Sequence, residues 1–377
     1  SFCIKNEEEK KLSIQNTHIE VNLKNLEHNL NFLRKKVSEK TKILCVVKAF
    51  GYGSEPVEIA KKLEENKVDY LAVAYCNEGV ELRKSGIASP ILVLHPQRDD
   101  FDDIIKYKLE PNIYSFRVLD AFIERSKNEK EYPFHLKFNT GLNRLGFSFK
   151  DIEKIHTKVT SSSSIKIKYI FSHLGASEDL NEKKFTDNQI ELFEKISSKM
   201  STIFQSEFKK HLLNTSGILN YSKFQYDMVR SGIGLYGYGN DQNYDKFFKP
   251  VVNLKSVVSQ IHKIKKGDSV GYNRGFIATK DSKVGIIPIG HADGISRSFG
   301  NGKASFIINN QEAKIVGNVC MDMLMVDVSK INCNEGDEVI IIDSNNQNAD
   351  QLARKNGTIS YEILTSLSNR IKRIYIK

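Results

Sequence analysis

Eight apolar runs of strand length, most of them separated by helical patterns, constrain this chain more than any other feature. They read ILCVV (43–47), YLAVAY (70–75), ILVLHP (91–96), PNIYS (111–115), FHLKFN (134–139), IKYIFSH (167–173), HLLN (211–214) and DMVR (227–230). Segments between them, such as EPVEIAKKLEEN and FTDNQIELFEKISSKM, repeat apolar residues at the spacing of a helix face. Strands alternating with helices predict a parallel sheet covered by helices. Eight strands favour a closed (β/α)8 TIM-type barrel over a doubly wound sheet, and no GxGxxG turn follows the first strand. The tetraserine 161–164 marks a loop before the sixth strand, and the interval from Gly217 to Tyr226 has room only for a short helix.

From about residue 246 the pattern changes. VVNLKSVVSQIHKI, SKVGIIPIG, KASFIIN, EAKIVGNV, MLMVDV and GDEVIIID are strand-like and separated by GD, NG, NNQ and EG turns, with a helical pattern only over 349–367. This predicts a mainly antiparallel β domain over 246–377, a barrel over 16–245, and a polar N-terminal segment or linker remnant over 1–15. Within the second span, HIEVNLKNLEHNLNFLRKKV reads as a short strand and then an amphipathic helix. The chain begins at Ser1 without an initiator Met, and SFCIKNEEEKK has no apolar leader core. That start is expected of a trimmed chain or of a piece fused to something upstream.

Charge and cysteine content narrow the function classes. Net charge is +10, but the lysines are interleaved with acids as in KKLEENK, and no basic cluster with aromatics marks a nucleic-acid face. No apolar run reaches the ~18 residues of a membrane span. The five cysteines are odd in number and lack CxxC spacing, so a reducing compartment is expected and a zinc site is not. Only 12 of the 56 basic residues are Arg. Each is therefore expected where a rigid, permanent cation is needed.

Barrel enzymes place chemistry where strands end. Here those ends carry Lys48, Lys137 with Arg144 after it, His173, Asn214-Thr215-Ser216, and Arg230 followed by Ser231-Gly232-Ile233. One such residue is commonly a solvated strand terminus; two lysines, a histidine and two scarce arginines on successive ends point to a site. The TSG and SGIG turns after strands seven and eight offer hydroxyls and backbone N–H groups to an anion, although glycines there also serve tight turns. A phosphate anchor with a lysine at the end of strand one suggests pyridoxal phosphate, whose aldehyde forms a Schiff base with an amine.

At this point the sequence resembles the alanine racemase family. The resemblance rests on KAFGYG (48–53), LKFNTGLNRLGF (136–147), SHL (172–174), NTSG (214–217) and DMVRSGIGLYG (227–237). In the second domain it continues through VGYNR (270–274), IPIGHADGISR (287–297), GNVCMDMLMVDV (317–328) and TISYE (358–362). It runs in order from about His18 to the C terminus. It implies that Lys48 holds pyridoxal phosphate and serves as the base for the α-proton on the D side, with Tyr272 of the partner subunit as the base on the opposite face. Two bases flanking one carbon suit a reaction that removes a proton from one face and returns it to the other. Arg230 would face the ring nitrogen, oriented by His173. Tyr52, Thr215, Gly232, Ile233 and Tyr361 would hold the phosphate, with Asn214 supporting that turn. Arg144 would meet the cofactor's phenolic oxygen and the substrate carboxylate, positioned by a Lys137 that is often carbamylated in the family. The main-chain N–H of Met321 would bind substrate, with Asp322 supporting its loop.

Some positions depart from the family pattern. Phe50-Gly51 replace the commoner Asn-Ala, Thr215 replaces Ser, Lys372 replaces a common Pro, Arg274 is an extra cation, and His291 stands where the family usually has Tyr near the substrate entrance. The reading that follows is a cytoplasmic homodimer with shared active sites that interconverts L- and D-alanine and supplies D-alanine for peptidoglycan. It would have no nucleic-acid, membrane or metal partner, and would be fused upstream to a cell-wall enzyme. Rival readings are a racemase acting on serine, lysine or arginine, a barrel-type amino-acid decarboxylase, and a non-catalytic pyridoxal phosphate carrier.

Overall fold

A computed structural model describes residues 17–377; the segment expected over 1–15 lies outside the described residues. The first strand, β1 (His18–Asn22), precedes a helix over Leu23–Arg34. Eight parallel strands follow: β2 (Lys42–Val46), β3 (Tyr70–Val73), β4 (Ile91–Val93), β5 (Glu110–Ile113), β6 (Tyr132–Lys137), β7 (Ile165–Phe171), β8 (Lys209–His211) and β9 (Met228–Ser231). They close into a barrel through β2 and β9, with Leu44 opposite Arg230. All eight expected strands are present. Several expected runs overshoot their C-terminal ends, because Phe138 and Ser172 stay buried after the strands β6 and β7 have ended. The short interval after β8 holds a helix of one and a half turns, Thr215–Asn220.

The inside of this barrel departs from the usual filling of Val, Ile and Leu. Tyr70 on β3 meets the rings of His135 on β6 and Tyr169 on β7 at centroid separations of 5.7 and 6.0 Å. Those strands are not its ladder neighbours, so the three rings face the barrel axis. Glu110, His135, His211 and Arg230 are buried as well.

The remaining strands are β10 (Val252–Val257), β11 (Gln260–Ile264), β12 (Ser269–Val270), β13 (Phe276–Ile277), β14 (Ser282–Ile287), β15 (Ser305–Ile308), β16 (Gln311–Val316), β17 (Leu324–Asp327), β18 (Glu338–Ile342) and β19 (Lys372–Ile376). A nine-stranded sheet runs β11-β14-β17-β16-β15-β18-β10-β1-β19, and β12 with β13 forms a separate hairpin. Every pair in the large sheet is antiparallel except β1 with β19. The helical stretch expected over 349–367 is two helices, Ala349–Arg354 and Ser360–Ser366.

One boundary shifts. β1, placed with the barrel by a start at residue 16, pairs instead with β10 and β19. A five-residue strand before a helix looks the same whichever sheet it joins, and its partners lie more than 200 residues away. The chain accordingly forms two compact units: Glu27–Gly51 with Pro56–Phe248, and the described residues through Leu26 with Tyr52–Glu55 and Lys249–Lys377. Among the described residues, no helix is long and apolar enough to cross a membrane.

Candidate active site

The barrel unit gathers cations at the ends of its strands. Lys48 follows β2 and is half-buried. Immediately after it the backbone turns left-handed, with φ near +50° to +60° at Ala49, Phe50, Gly51 and Tyr52. For L residues this conformation costs about 1–2 kcal/mol each, and successive ones are rare. Glu78 offsets part of that cost: its carboxylate accepts from the N–H groups of Ala49, Ala74 and Tyr75, each at 2.9 Å. The departure to Gly51 falls on a position where φ is positive and an added Cβ would lie 3.1 Å from the Pro56 nitrogen.

Burial, then the charge of Arg144, pull the Lys48 amine below its ordinary value, with Glu78 opposing them. Lys137, at the end of β6, is pulled down to about 7 by burial first, and then by Arg230, Arg144 and Lys48. Its amine lies over the Phe171 ring, 5.0 Å from the centroid. Arg144 is exposed. Arg230 is buried and lowered to about 9 by burial and Arg144, so it remains a cation at neutral pH. Four mutually repelling cations at one mouth are suited to an anionic ligand.

Arg230 is fixed on several sides. Its Nη2 donates to the Ser172 carbonyl (2.8 Å), His173 Nδ1 (3.0 Å) and the Leu212 carbonyl (3.1 Å), and its Nη1 donates to His211 Nδ1 (2.6 Å). A guanidinium only donates, so His173 Nδ1 must be unprotonated. Burial and Arg230 hold His173 well below the ordinary histidine value.

The turns after β8 and β9 meet through hydroxyls. Asn214 caps the helix Thr215–Asn220 by accepting from Gly217 N at 3.0 Å. Thr215 Oγ1 lies 2.9 Å from Ser231 Oγ and accepts from Gly234 N at 3.3 Å. A Cβ on Gly234 would come within 2.7 Å of Thr215 Cγ2, so only glycine allows the approach. Thr215 and Ile233 are buried and Gly232 is half-buried. First-turn N–H groups have no intrahelical acceptor. Together with the neighbouring cations they fit the phosphate of pyridoxal phosphate, and the lowered Lys48 amine fits its aldehyde.

The second unit holds the other expected residues. Tyr52 is buried, which pushes its hydroxyl's pKa up, and its ring lies 6.3 Å from that of Tyr361. Tyr272 stands in the β12–β13 turn with 75% of its surface exposed, and Met321 is 59% exposed. Both line a cavity of about 650 Å³ with Cys320, Asp322, Met323 and Met325. The Met321 loop is held by backbone contacts: His291 N donates to Cys320 O at 2.9 Å and Ala292 N to Met321 O at 3.0 Å. A Cβ on Gly290 would sit 2.3 Å from both of those carbonyl oxygens, which requires glycine. Arg370 clasps Asp293 at 2.6 and 3.0 Å and reaches Asp322 at 2.8 Å. Asp322 is thus tied to an arginine that the sequence did not single out. The exposed His291 supplies a backbone contact to the Met321 loop.

Lys48, Lys137, Arg144, His173, Asn214, Thr215, Arg230, Gly232 and Ile233 fall in one unit. Tyr52, Tyr272, His291, Met321, Asp322 and Tyr361 fall in the other. Sequence reasoning missed His211, the acceptor of the shortest Arg230 hydrogen bond, and the Arg370–Asp293 clasp. A histidine next to an apolar run, as in HLLN and FHLKFN, was the available signal.

The family models described as alanine racemase, N-terminal domain, and alanine racemase, C-terminal domain, match residues 21–240 and 251–375. An alanine racemase of Clostridium kluyveri is 36% identical over 370 residues, covering 95% of this chain and 93% of that protein. The solved alanine racemase of Clostridium difficile is 33% identical with a TM-score of 0.89, covering 96% of this chain and 95% of that one. That of Bartonella henselae, with covalently bound pyridoxal phosphate, is 28% identical with a TM-score of 0.87, covering 96% and 99%.

Proposed function

We propose that this chain, which belongs to the alanine racemase family, is a pyridoxal-phosphate-dependent enzyme that interconverts L- and D-alanine. The observation that carries the reading is the Lys48 amine, half-buried at the barrel mouth with its proton affinity lowered and three further cations around it. When bound, pyridoxal phosphate supplies an electron sink that acidifies the α-proton of an amino acid.

The residues around it divide the work. Lys48 holds the cofactor and, once its amine is free, moves the proton at the α-carbon on the D side; a lowered proton affinity leaves more of that amine ready to accept. Arg230, anchored on four sides, donates to the ring nitrogen and cannot give up its proton to it. His173 accepts from Arg230 through Nδ1 and so orients it. Thr215, Gly232 and Ile233, with Tyr52 and Tyr361, hold the phosphate, and Asn214 stiffens that turn. Arg144 binds the substrate carboxylate. Lys137, held down to about 7 and so about half unprotonated at neutral pH, has a free amine that can add CO2, and its carbamate would place an anion beside Arg144. Crystallographic density beyond Nζ checks that modification; a bare amine in a well-resolved map contradicts it.

Tyr272 moves the proton on the L side and acts on a second copy's barrel, with the Met321 N–H and the Asp322 loop beside it. The high exposure of Tyr272 and Met321 supports a homodimer with shared sites. His291 near the substrate entrance sets substrate breadth. The product would serve peptidoglycan synthesis in the cytoplasm. The reading is tested by kcat/KM for alanine, serine, lysine and arginine, with CO2 release followed in parallel. Alanine should be preferred by at least about tenfold, a difference in transition-state binding of ~1.4 kcal/mol. Preference for another amino acid, or CO2 as the product, would overturn it.

A further inference from the structure

Behind Arg230 the barrel holds a buried polar chain that the chemistry above does not use. From Arg230 Nη1 to His211 Nδ1 is 2.6 Å, from His211 Nε2 to His135 Nδ1 is 2.9 Å, and from His135 Nε2 to Glu110 Oε1 is 3.6 Å. Glu110 also accepts from Tyr70 Oη at 3.0 Å and pairs with Lys168 Nζ at 3.0 Å. Neither imidazole has exposed surface. His211 stacks on Phe171 at 4.4 Å and His135 on Tyr169 at 4.9 Å, which confines their rotation.

The protons along this chain have one consistent arrangement. Arginine has no acceptor, so His211 Nδ1 carries the lone pair. Neutral His211 then bears its proton on Nε2 and gives it to His135 Nδ1. His135 in turn bears its proton on Nε2, a buried nitrogen whose facing acceptor is the Glu110 carboxylate. Reversing His135 would set two N–H groups against each other. Reversing both rings would drive an N–H into the guanidinium. Protonating His135 would also oppose His211, and burial outweighs the pull of Glu110 in keeping it neutral. Burial raises the Glu110 carboxyl, yet the contacts with His135 and Lys168 outweigh it and keep the carboxylate ionised. Glu110 begins β5, while Arg230 lies near the end of β9. The chain therefore runs from the mouth to the opposite end of the barrel, where Glu110 lines a cavity of about 440 Å³ with Arg83, Lys108 and Lys168.

We propose that Glu110 is a positioning residue for Arg230, acting through the tautomers of His135 and His211 to hold the guanidinium in one orientation. The catalytic consequence rests on the proposed placement of Arg230 against the cofactor ring; the tautomer pattern does not. Ring-15N histidine NMR of the full chain, with and without pyridoxal phosphate, tests it, the two residues being assigned by loss of signal in His135→Asn and His211→Asn. Both should be neutral Nε2–H tautomers from about pH 6 to about pH 9. An imidazolium or an Nδ1–H form at either residue in the unmodified protein overturns the proposal, and this needs no variant to fold. Glu110→Gln, which retains an acceptor oxygen, should preserve the pattern. Glu110→Leu removes the acceptor facing His135 Nε2 and should give mixed tautomers at His135, breaking its contact with His211, which Arg230 still holds as Nε2–H. Its kcat should fall about tenfold with KM little changed. Unchanged tautomers in folded Glu110→Leu would also overturn it. Absence of racemase activity in every form would count against the proposed function alone, because the tautomers are read without turnover.

Discussion

The barrel mouth and the exposed face of the β unit are built in opposite ways. At the mouth, Arg230 is buried and spends donors on four acceptors, and the turns bearing Thr215 and Gly234 are locked by contacts that only glycine permits. On the β face, Tyr272 and Met321 are mostly exposed; Asn318 Nδ2 donates to the Tyr272 carbonyl, and the Met321 loop is held at Gly290 and, through Asp322, by Arg370. A site assembled within one unit can bury its charges and tune them. A group offered outward can have its main chain placed in advance while its side chain awaits what covers it.

Substitutions should separate the two. Lys48→Ala should lower racemase activity by about 10³-fold or more and abolish the borohydride-sensitive visible absorbance of bound cofactor. Tyr272→Phe should cost about 10²–10⁴-fold in activity. Because the side chain is exposed, it should change unfolding free energy by no more than about 0.5 kcal/mol in a denaturant titration. Retained full activity in Tyr272→Phe would mean that the outward residue takes no part in the chemistry.

How far the sequence reached follows the same division. The barrel strands were legible because each is a local apolar run, and Lys48, Arg144 and Arg230 stood out as cations at strand ends. The pairing of β1 with β19 was not, because register between distant segments leaves no local mark. Nor were His135, within β6, and His211, the last residue of β8 after two lysines, whose role depends on which neighbours share the barrel interior. Arg370 was hidden for a related reason: its partners Asp293 and Asp322 are 77 and 48 residues away.

Arg370→Met would leave buried Asp293 without its charged partner and free Asp322. Loss of this contact should lower Tm by a few degrees, with KM rising more than kcat falls. Lys137 gives a pH signature from the mouth. Its folded value of about 7 lies below the ordinary 10.5 because of burial and the three neighbouring cations. Below pH 7 the folded protein must hold a buried cation, and that cost fades as pH rises towards 10.5, where the unfolded chain also loses the proton. In CO2-free buffer, Lys137→Met should therefore raise Tm by several degrees near pH 6, and by less as the pH approaches 10. A gain that grows with pH would contradict the charge arrangement at the mouth.

The central claim, that the mouth of one copy is completed by Tyr272 from another, is tested most directly by co-expressing Lys48→Ala with Tyr272→Phe. A mixed dimer would contain one site bearing both lesions and one site bearing neither. Random pairing should therefore restore about a quarter of the unmodified specific activity from two inactive proteins. Activity no higher than that of the separate variants, in a sample shown to contain mixed dimers, would place Lys48 and Tyr272 of each site in the same copy and contradict the account.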